Sequence, residues 1–184
     1  ANIRYLHHLG EVTYFSPLAD TSLPDAGFVY LPGGYPELYL AALSANRQML
    51  QSIRRYVESG GKLLAECGGM MYLCDEIRDK NGDVYPMAGV LHQSATMENM
   101  KLRLGYGTLL YNETRLKGHE FHDSRLVEQQ NPLPSCAVAY TAKGVETDTP
   151  LYHYKNVWAG YTHLYWADPV GNEWFTKFVI DGNT

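Results

Sequence analysis

The spacing of hydrophobic residues differs between the two halves of the chain. In the first half, short apolar runs at 28–31 and at 63–65, the second within the segment 62–66, are typical of strands buried on both faces of a sheet. Between them, residues 46–61 carry apolar side chains at helical spacing, with Asn46 placed to cap the helix. The same reasoning predicts helices at 2–10 and 68–77 and a strand at 11–15. This order of elements predicts an α/β domain with a mainly parallel sheet.

In the second half, tyrosines and other apolar residues alternate with polar ones, and a period of two is typical of strands. The segments predicted as strands are 102–111, 117–124, 136–142, 151–156 and 157–166, and a closing helix is predicted over 168–181. No repeat, low-complexity stretch or linker interrupts this pattern. Residues 1–184 are therefore expected to form one domain.

Composition argues against several classes of function. The net charge is −5 and basic residues are not clustered, which argues against a nucleic-acid partner. No apolar run approaches the ~20 residues that a membrane helix needs, and the first residues lack the apolar core of a signal peptide. Three cysteines at irregular spacing do not suggest a disulfide framework. A cytoplasmic protein that contacts no membrane is predicted.

Cys67 stands between a predicted strand and a predicted helix, in the stretch AECGGMM. Ligands of an open α/β sheet bind beyond the carboxyl ends of its strands, and a nucleophile can be presented there on a tight turn. The start of a helix favours the thiolate, and the backbone N–H of Gly68 would face a developing oxyanion. A buried structural cysteine explains the stretch ECGG equally well.

A second glycine-rich loop, at 30–38, also follows a buried strand. Gly33 and Gly34 can offer backbone N–H groups at the same edge of the sheet. Two such turns at neighbouring strand ends make a candidate oxyanion hole. Taken alone, the loop is explained by an ordinary strand-to-helix turn.

A thiol nucleophile needs a base, usually a histidine that is close in space and distant in sequence. His163 lies at the end of an apolar strand segment, whereas His119 and His122 lie in the stretch GHEFH, and spacing alone does not decide between them. On a strand His119 and His122 point to opposite faces, because the side-chain period is two. No metal site is therefore predicted.

Five motifs, taken in order, resemble the glutamine amidotransferase domain of cobyrinic acid a,c-diamide synthases, a class I (triad-type) amidotransferase. They are YLPGGYPEL, AECGGMMYL, LGYGTLLY, GHEFHDS and AGYTHLYW, and the resemblance runs from about residue 11 to the C-terminus. The combination of ECGGMMYL with GHEFH is similar to this branch rather than to cobyric acid synthase. The resemblance implies a flavodoxin-like, three-layer α/β fold with a mainly parallel central sheet.

The resemblance also implies a role for each motif. Cys67 would attack the side-chain amide of glutamine, the implied substrate, and His163 would transfer the protons. Ammonia and glutamate would be the products. The implied oxyanion-binding residues are Gly33, Gly34 and Gly68, and the implied supporting residues are Tyr35, Tyr106 and Glu120.

In this family the ammonia serves ATP-dependent a,c-diamidation of cobyrinic acid in cobalamin biosynthesis. ATP and Mg²⁺ are expected in an N-terminal synthetase domain, and no cofactor is expected in the amidotransferase domain. The chain contains no GxxxxGK[ST] motif, so it is interpreted as the C-terminal amidotransferase domain without its synthetase partner. The family pattern also has a strand before the segment matching residue 1. An unpaired sheet edge there would favour a homodimer.

One departure from the wider class concerns the third catalytic residue. Many class I amidotransferases carry a glutamate two residues after the catalytic histidine, where this chain has Tyr165. The resemblance implies a Cys67–His163 dyad, with Asp168 as a candidate to orient the histidine. Two other functions stay open, namely a different cysteine–histidine amide hydrolase and a non-catalytic module on the same fold.

Overall fold

The computed structural model describes residues 1–182. Its α-helices are α1 (Asn2–Leu9), α2 (Leu40–Ala45), α3 (Arg47–Glu58), α4 (Gly68–Leu73) and α5 (Pro169–Trp174). Its strands are β1 (Phe28–Leu31), β2 (Lys62–Glu66), β3 (Cys74–Arg78), β4 (Val84–Pro86), β5 (Leu91–Thr96), β6 (Arg103–Tyr111), β7 (Thr114–His122), β8 (Arg125–Leu126), β9 (Val138–Thr141), β10 (Glu146–Thr147), β11 (Leu151–Tyr154), β12 (Val157–Gly160) and β13 (His163–Leu164).

The central sheet has the strand order β1-β2-β12-β11. The pairs β1–β2 and β2–β12 are parallel, and β11 is antiparallel to β12. Both faces of this sheet are buried: Leu63 packs in a core with α2, α3 and α4, whereas its neighbour Leu64 packs in a second core with Trp158 and Trp174. Burial on both faces explains the apolar runs 28–31 and 63–65. The predicted three-layer α/β fold with a mainly parallel central sheet is confirmed.

A five-stranded antiparallel sheet, in the order β10-β9-β6-β7-β13, is built by the second half of the chain. The alternating Tyr-rich segments form its strands and β11 and β12, as predicted, except that the segment 157–166 is divided between β12 and β13 instead of forming one strand. The chain passes from one sheet to the other just after Gly160, because β12 pairs with β2 and β13 pairs with β7. This crossing places His163 next to the carboxyl end of β2.

The third sheet, in the order β4-β3-β5-β8, was not expected from the sequence. The helix predicted over 68–77 ends at Leu73, and Cys74 begins β3 instead. Cys74 is fully buried and pairs with Leu91 in β5, a partner that local spacing does not reveal. Long-range strand pairing therefore overrides the helical pattern here.

The strand predicted over 11–15 is also wrong. This segment has no regular structure and pairs with no sheet, although the side chain of Phe15 packs against the core. Alternation of polar and apolar residues produces a strand only where a neighbouring strand is available.

Three helix predictions are confirmed. α1 matches the helix predicted at 2–10, and α3 begins after Asn46, whose side chain accepts a hydrogen bond from the Met49 N–H. The closing helix starts after Asp168, which caps α5 through the Gly171 N–H, and continues from Phe175 to Ile180 with π-helical hydrogen bonding.

Candidate active site

Cys67 occupies a strained turn between β2 and α4. Its φ of 52° and ψ of −114° lie outside the regions that side-chain-bearing residues normally adopt. Two backbone hydrogen bonds hold it there: the Cys67 N–H donates to the Gly160 carbonyl (2.8 Å), and the Cys67 carbonyl accepts from the Met71 N–H (3.1 Å). Strain of this kind is found at nucleophiles presented on a strand-to-helix turn.

The glycines on both sides of this turn are required by close packing. A Cβ on Gly68 would lie 2.6 Å from the Gly34 carbonyl oxygen, and a Cβ on Gly69 would lie 2.4 Å from the Leu31 carbonyl oxygen. Both distances are shorter than real Cβ contacts, so the loop after β1 can touch the Cys67 turn only because these side chains are missing.

Gly33 lies between the predicted nucleophile and the predicted base. A Cβ on Gly33 would lie 3.1 Å from His163 Cε1 and 3.5 Å from Cys67 Cβ. Gly33 and Gly34 both have positive φ, of 109° and 133°. The structure therefore brings Gly33, Gly34 and Gly68 together at the carboxyl edge of the sheet.

Cys67 is nearly covered, since the residue is only 6% exposed. Its S–H donates to the Phe121 carbonyl of β7 at 3.6 Å. The backbone of β7, the strand that carries the GHEFH motif, therefore lines the site next to Cys67.

His163 faces the Cys67 turn from β13. The side chains of Cys67, which has the largest effect, and of Glu66 raise the pKa of His163 from 6.5 to about 9, although burial acts in the opposite direction. Of the three histidines left open by the sequence, His163 is therefore the one placed to exchange a proton with the thiol.

The two histidines of GHEFH point in opposite directions, as the period of two predicts. The ring of His119 stacks on that of His163, with centroids 5.0 Å apart, whereas the ring of His122 stacks on that of Tyr161. Burial, and secondarily the charge of His163, lowers the pKa of His119 below its ordinary value. Among residues 1–182, no group of three or more His, Cys, Asp or Glu side chains is arranged to hold a metal ion.

Glu66 was not predicted as a site residue, yet it contacts the base directly. Its Oε2 lies 3.5 Å from His163 Nδ1 and accepts a hydrogen bond from the Tyr30 hydroxyl at 2.8 Å. Its Oε1 accepts from the Leu164 N–H at 3.1 Å, and the residue is 1% exposed. The sequence carries one signal that could have found it: a charged residue directly follows the apolar run 63–65 and directly precedes Cys67.

The remaining predicted residues lie around this centre. Tyr35 is 57% exposed on the Gly33–Gly34 loop, and Tyr106 is 80% exposed, with its ring 6.1 Å from that of His119. Glu120 bonds to His122 Nε2 at 3.1 Å rather than to His163. Asp168 caps α5 and pairs with Lys117 at 3.0 Å, so it is engaged away from the base that it was a candidate to orient.

A thiol on a strained strand-to-helix turn, with a histidine from a neighbouring strand and a glycine-rich loop beside both, is the arrangement typical of α/β enzymes that use a cysteine nucleophile. Residues 1–170 match the family model described as the CobB/CobQ-like glutamine amidotransferase domain. The chain belongs to this family.

Curated relatives agree with this assignment. The chain is 39% identical over 171 residues to the hydrogenobyrinate a,c-diamide synthase of Pseudomonas aeruginosa, covering 90% of this chain and 38% of the relative. It is 37% identical over 172 residues to the cobyrinate a,c-diamide synthase of Fusobacterium nucleatum, covering 89% and 38%. The chain thus spans about two-fifths of the length of the relatives it matches.

The fold has a counterpart among solved structures. A chain described as the crystal structure of glutamine amidotransferase superposes with a TM-score of 0.55 at 17% identity, covering 83% of this chain and 79% of that one. This likeness supports the fold.

Across the part of the chain that the structure describes, no helix has the length and apolar character needed to cross a membrane.

Proposed function

We propose that the chain is a glutaminase that hydrolyses glutamine to glutamate and ammonia. The observation that carries this proposal is the convergence of three elements at one point: the strained Cys67 turn, His163 from β13, and Gly33 with its missing Cβ between them. Membership of the amidotransferase family supports glutamine as the substrate.

In the proposed reaction, Cys67 Sγ gives its proton to His163 and attacks the side-chain carbonyl carbon of glutamine. The carbonyl oxygen becomes an oxyanion, and His163 then protonates the departing nitrogen, so that ammonia leaves and a glutamyl thioester remains. Water attacks the thioester while His163 takes its proton. Glutamate leaves, and the proton returns to the Cys67 sulfur.

The oxyanion requires N–H donors next to Cys67. The first N–H groups of a helix have no acceptor within the helix, so the N–H of Gly68 is available at the start of α4. We assign the other donors to the Gly33–Gly34 segment, which packs directly on Gly68. Tyr35 and Tyr106 are proposed to line the glutamine entrance, because both are exposed beside this centre. Glu120 is retained as a supporting residue through its bond to His122.

We further propose that the ammonia serves an ATP- and Mg²⁺-dependent amidation of corrin carboxylates. The names of the relatives support this use, since they are cobyrinate or hydrogenobyrinate a,c-diamide synthases, and their greater length leaves room for a separate synthetase domain. ATP and Mg²⁺ would bind in that domain, which would receive the ammonia.

Labelling with a diazo-ketone analogue of glutamine tests the glutaminase proposal. Two other cysteines serve as internal controls. Burial raises the pKa of the Cys74 thiol and raises that of Cys136 to about 11. Because cysteine reacts as the thiolate, we expect both to label poorly. We expect one adduct, on Cys67. Its formation should be slower in His163→Ala and should be prevented by excess glutamine. Adducts mainly on Cys74 or Cys136 would contradict the proposal.

The same samples separate the other two functions. A different cysteine–histidine hydrolase would label at Cys67 but release no ammonia from glutamine while cleaving another amide. A non-catalytic module would keep its ligand binding in Cys67→Ala and would turn over no amide.

A further inference from the structure

We propose that Glu66 is the positioning residue of this site and takes the place of the acidic group missing at Tyr165. It would hold the His163 ring so that Nδ1 keeps its proton and Nε2 faces the reacting atoms. This inference rests on the proposed function, because it assigns a role within the same site.

The first argument is geometric. Glu66 is held by three elements at once: the Tyr30 hydroxyl from β1 donates to Oε2, the Leu164 N–H from β13 donates to Oε1, and its own backbone lies in β2. Burial and the neighbouring Glu66 raise the pKa of Tyr30 well above its usual range, so its hydroxyl remains a donor. The carboxylate is thereby fixed with Oε2 on the Nδ1 side of His163, at 3.5 Å.

The second argument concerns charge. A carboxylate that is 1% exposed is costly unless it is paired. Within residues 1–182, the one cationic side chain within ion-pair distance of Glu66 is His163. Each group therefore needs the other, since the imidazolium formed during proton transfer is the charge that compensates the carboxylate.

The third argument concerns the tautomer. A neutral imidazole has one N–H and one lone pair, and the partner of one nitrogen decides which is which. A carboxylate accepts only, so once the imidazolium has released a proton, Glu66 keeps the remaining one on Nδ1 and leaves the lone pair on Nε2, which can take the next proton. Among residues 1–182, the other titratable groups that face His163 are Cys67, from the β2–α4 turn, and His119, stacked from β7.

Glu66→Gln is the decisive variant, because it keeps the shape and removes the charge. Its amide would also offer an N–H where the carboxylate accepts, which favours the wrong tautomer. We expect glutamine turnover (kcat) to fall about 100-fold or more with KM changed less than about threefold, since Glu66 acts through His163 rather than on glutamine.

The matched control is Asp168→Asn, which removes a carboxylate close to His163 in sequence but engaged with Lys117 and the Gly171 N–H. It should leave kcat unchanged within about twofold. Glu66→Asp keeps the charge at a longer distance and should recover part of the activity.

An NMR titration measures the pKa of His163, and so its interaction with Glu66, without a turnover assay. The His163 signal is assigned as the one lost in His163→Gln. We expect His163 to titrate above its ordinary value in the wild type and Asp168→Asn, and at least one pH unit lower in Glu66→Gln. A wild-type His163 that titrates at or below its ordinary value would overturn the inference even if Glu66→Gln failed to fold. An unchanged titration or unchanged kcat in folded Glu66→Gln would also overturn it. Failure of Cys67 to label in the wild type would instead count against the glutaminase.

Discussion

The two halves of the candidate active site are built by different rules. The nucleophile half consists of β1, β2 and α4, where Cys67 and Gly33 are set by short strand-to-loop connections in a parallel sheet. The base half consists of β7 and β13, where His163 is set by antiparallel pairing with His119, 44 positions earlier in the chain. The first half is specified by local sequence, whereas the second depends on the register of distant strands.

The largest expected effect comes from breaking the contact between the halves. Cys67→Ser and His163→Asn should each lower glutamine turnover by at least about 10³-fold, because nucleophile and base act as a unit. The double variant should lose little more than either single variant. Glutaminase assays with thermal unfolding as the folding control check this, and additive losses would show that the two residues act independently.

A smaller effect should come from displacing only the base half. A Cβ on Gly118 would lie 2.6 Å from the His163 carbonyl oxygen, so Gly118→Ala should push β13 away from β7. We expect about a 100-fold loss of turnover, since shifts of about 1 Å at catalytic groups have costs of this size.

Gly107→Ala is the matched control for this prediction. Gly107 faces Gly118 across the β6–β7 ladder, and its Cβ would lie 2.5 Å from the Tyr140 carbonyl oxygen in β9 instead. Both variants should lower the unfolding temperature, but only Gly118→Ala should slow Cys67 labelling. Equal slowing in both would mean that general destabilisation, and not the register of β13, controls the base.

Crowding the nucleophile half should have a weaker effect. In Gly33→Ala the new methyl group would lie 3.1 Å from both His163 Cε1 and the Glu66 carbonyl oxygen, at a φ of 109°. We expect about a tenfold loss of turnover and about 1–2 kcal/mol of destabilisation from backbone strain. Gly144→Ala, also at positive φ but with open space around it, should show only the destabilisation. Similar turnover in the two variants would contradict a steric role for Gly33.

The smallest effect is a dependence of stability on pH. The pKa of His163 is raised in the folded protein, from 6.5 to about 9, so its contribution is complete below pH 6.5 and is lost as the pH rises through about 9. The free energy of unfolding should therefore fall by less than about 3 kcal/mol over this window. Denaturant unfolding at a series of pH values should show that His163→Gln lacks this component and that Cys67→Ala has a reduced one. An identical fall in His163→Gln would assign it to other groups.

The central sheet could be predicted from the sequence because its strands are buried on both faces and its turns use glycine. The segments 28–31 and 62–66 were located to the residue, as was the cap at Asn46. The motifs were also sufficient to nominate Cys67, His163 and Gly33, which the structure brings together.

The third sheet and the partners of Glu66 could not be predicted, for one shared reason. Cys74 joins a strand because Leu91 is there to pair with it, and Glu66 becomes a site residue because β13 crosses over to meet it. Its neighbours Tyr30 and Leu164 come from strands on either side. The sequence around a residue does not show which distant residues will contact it in the folded chain.

The sequence by itself determined the elements whose causes are local: the helix caps, the doubly buried strands, and the glycine-flanked turn that strains Cys67. The tertiary structure alone decided which histidine lies against the Cys67 turn, which carboxylate faces that histidine, and that Asp168 does not. The physical reason is that backbone strain and capping act over a few residues. Ion pairing and strand register, in contrast, depend on groups that meet only when the chain has folded.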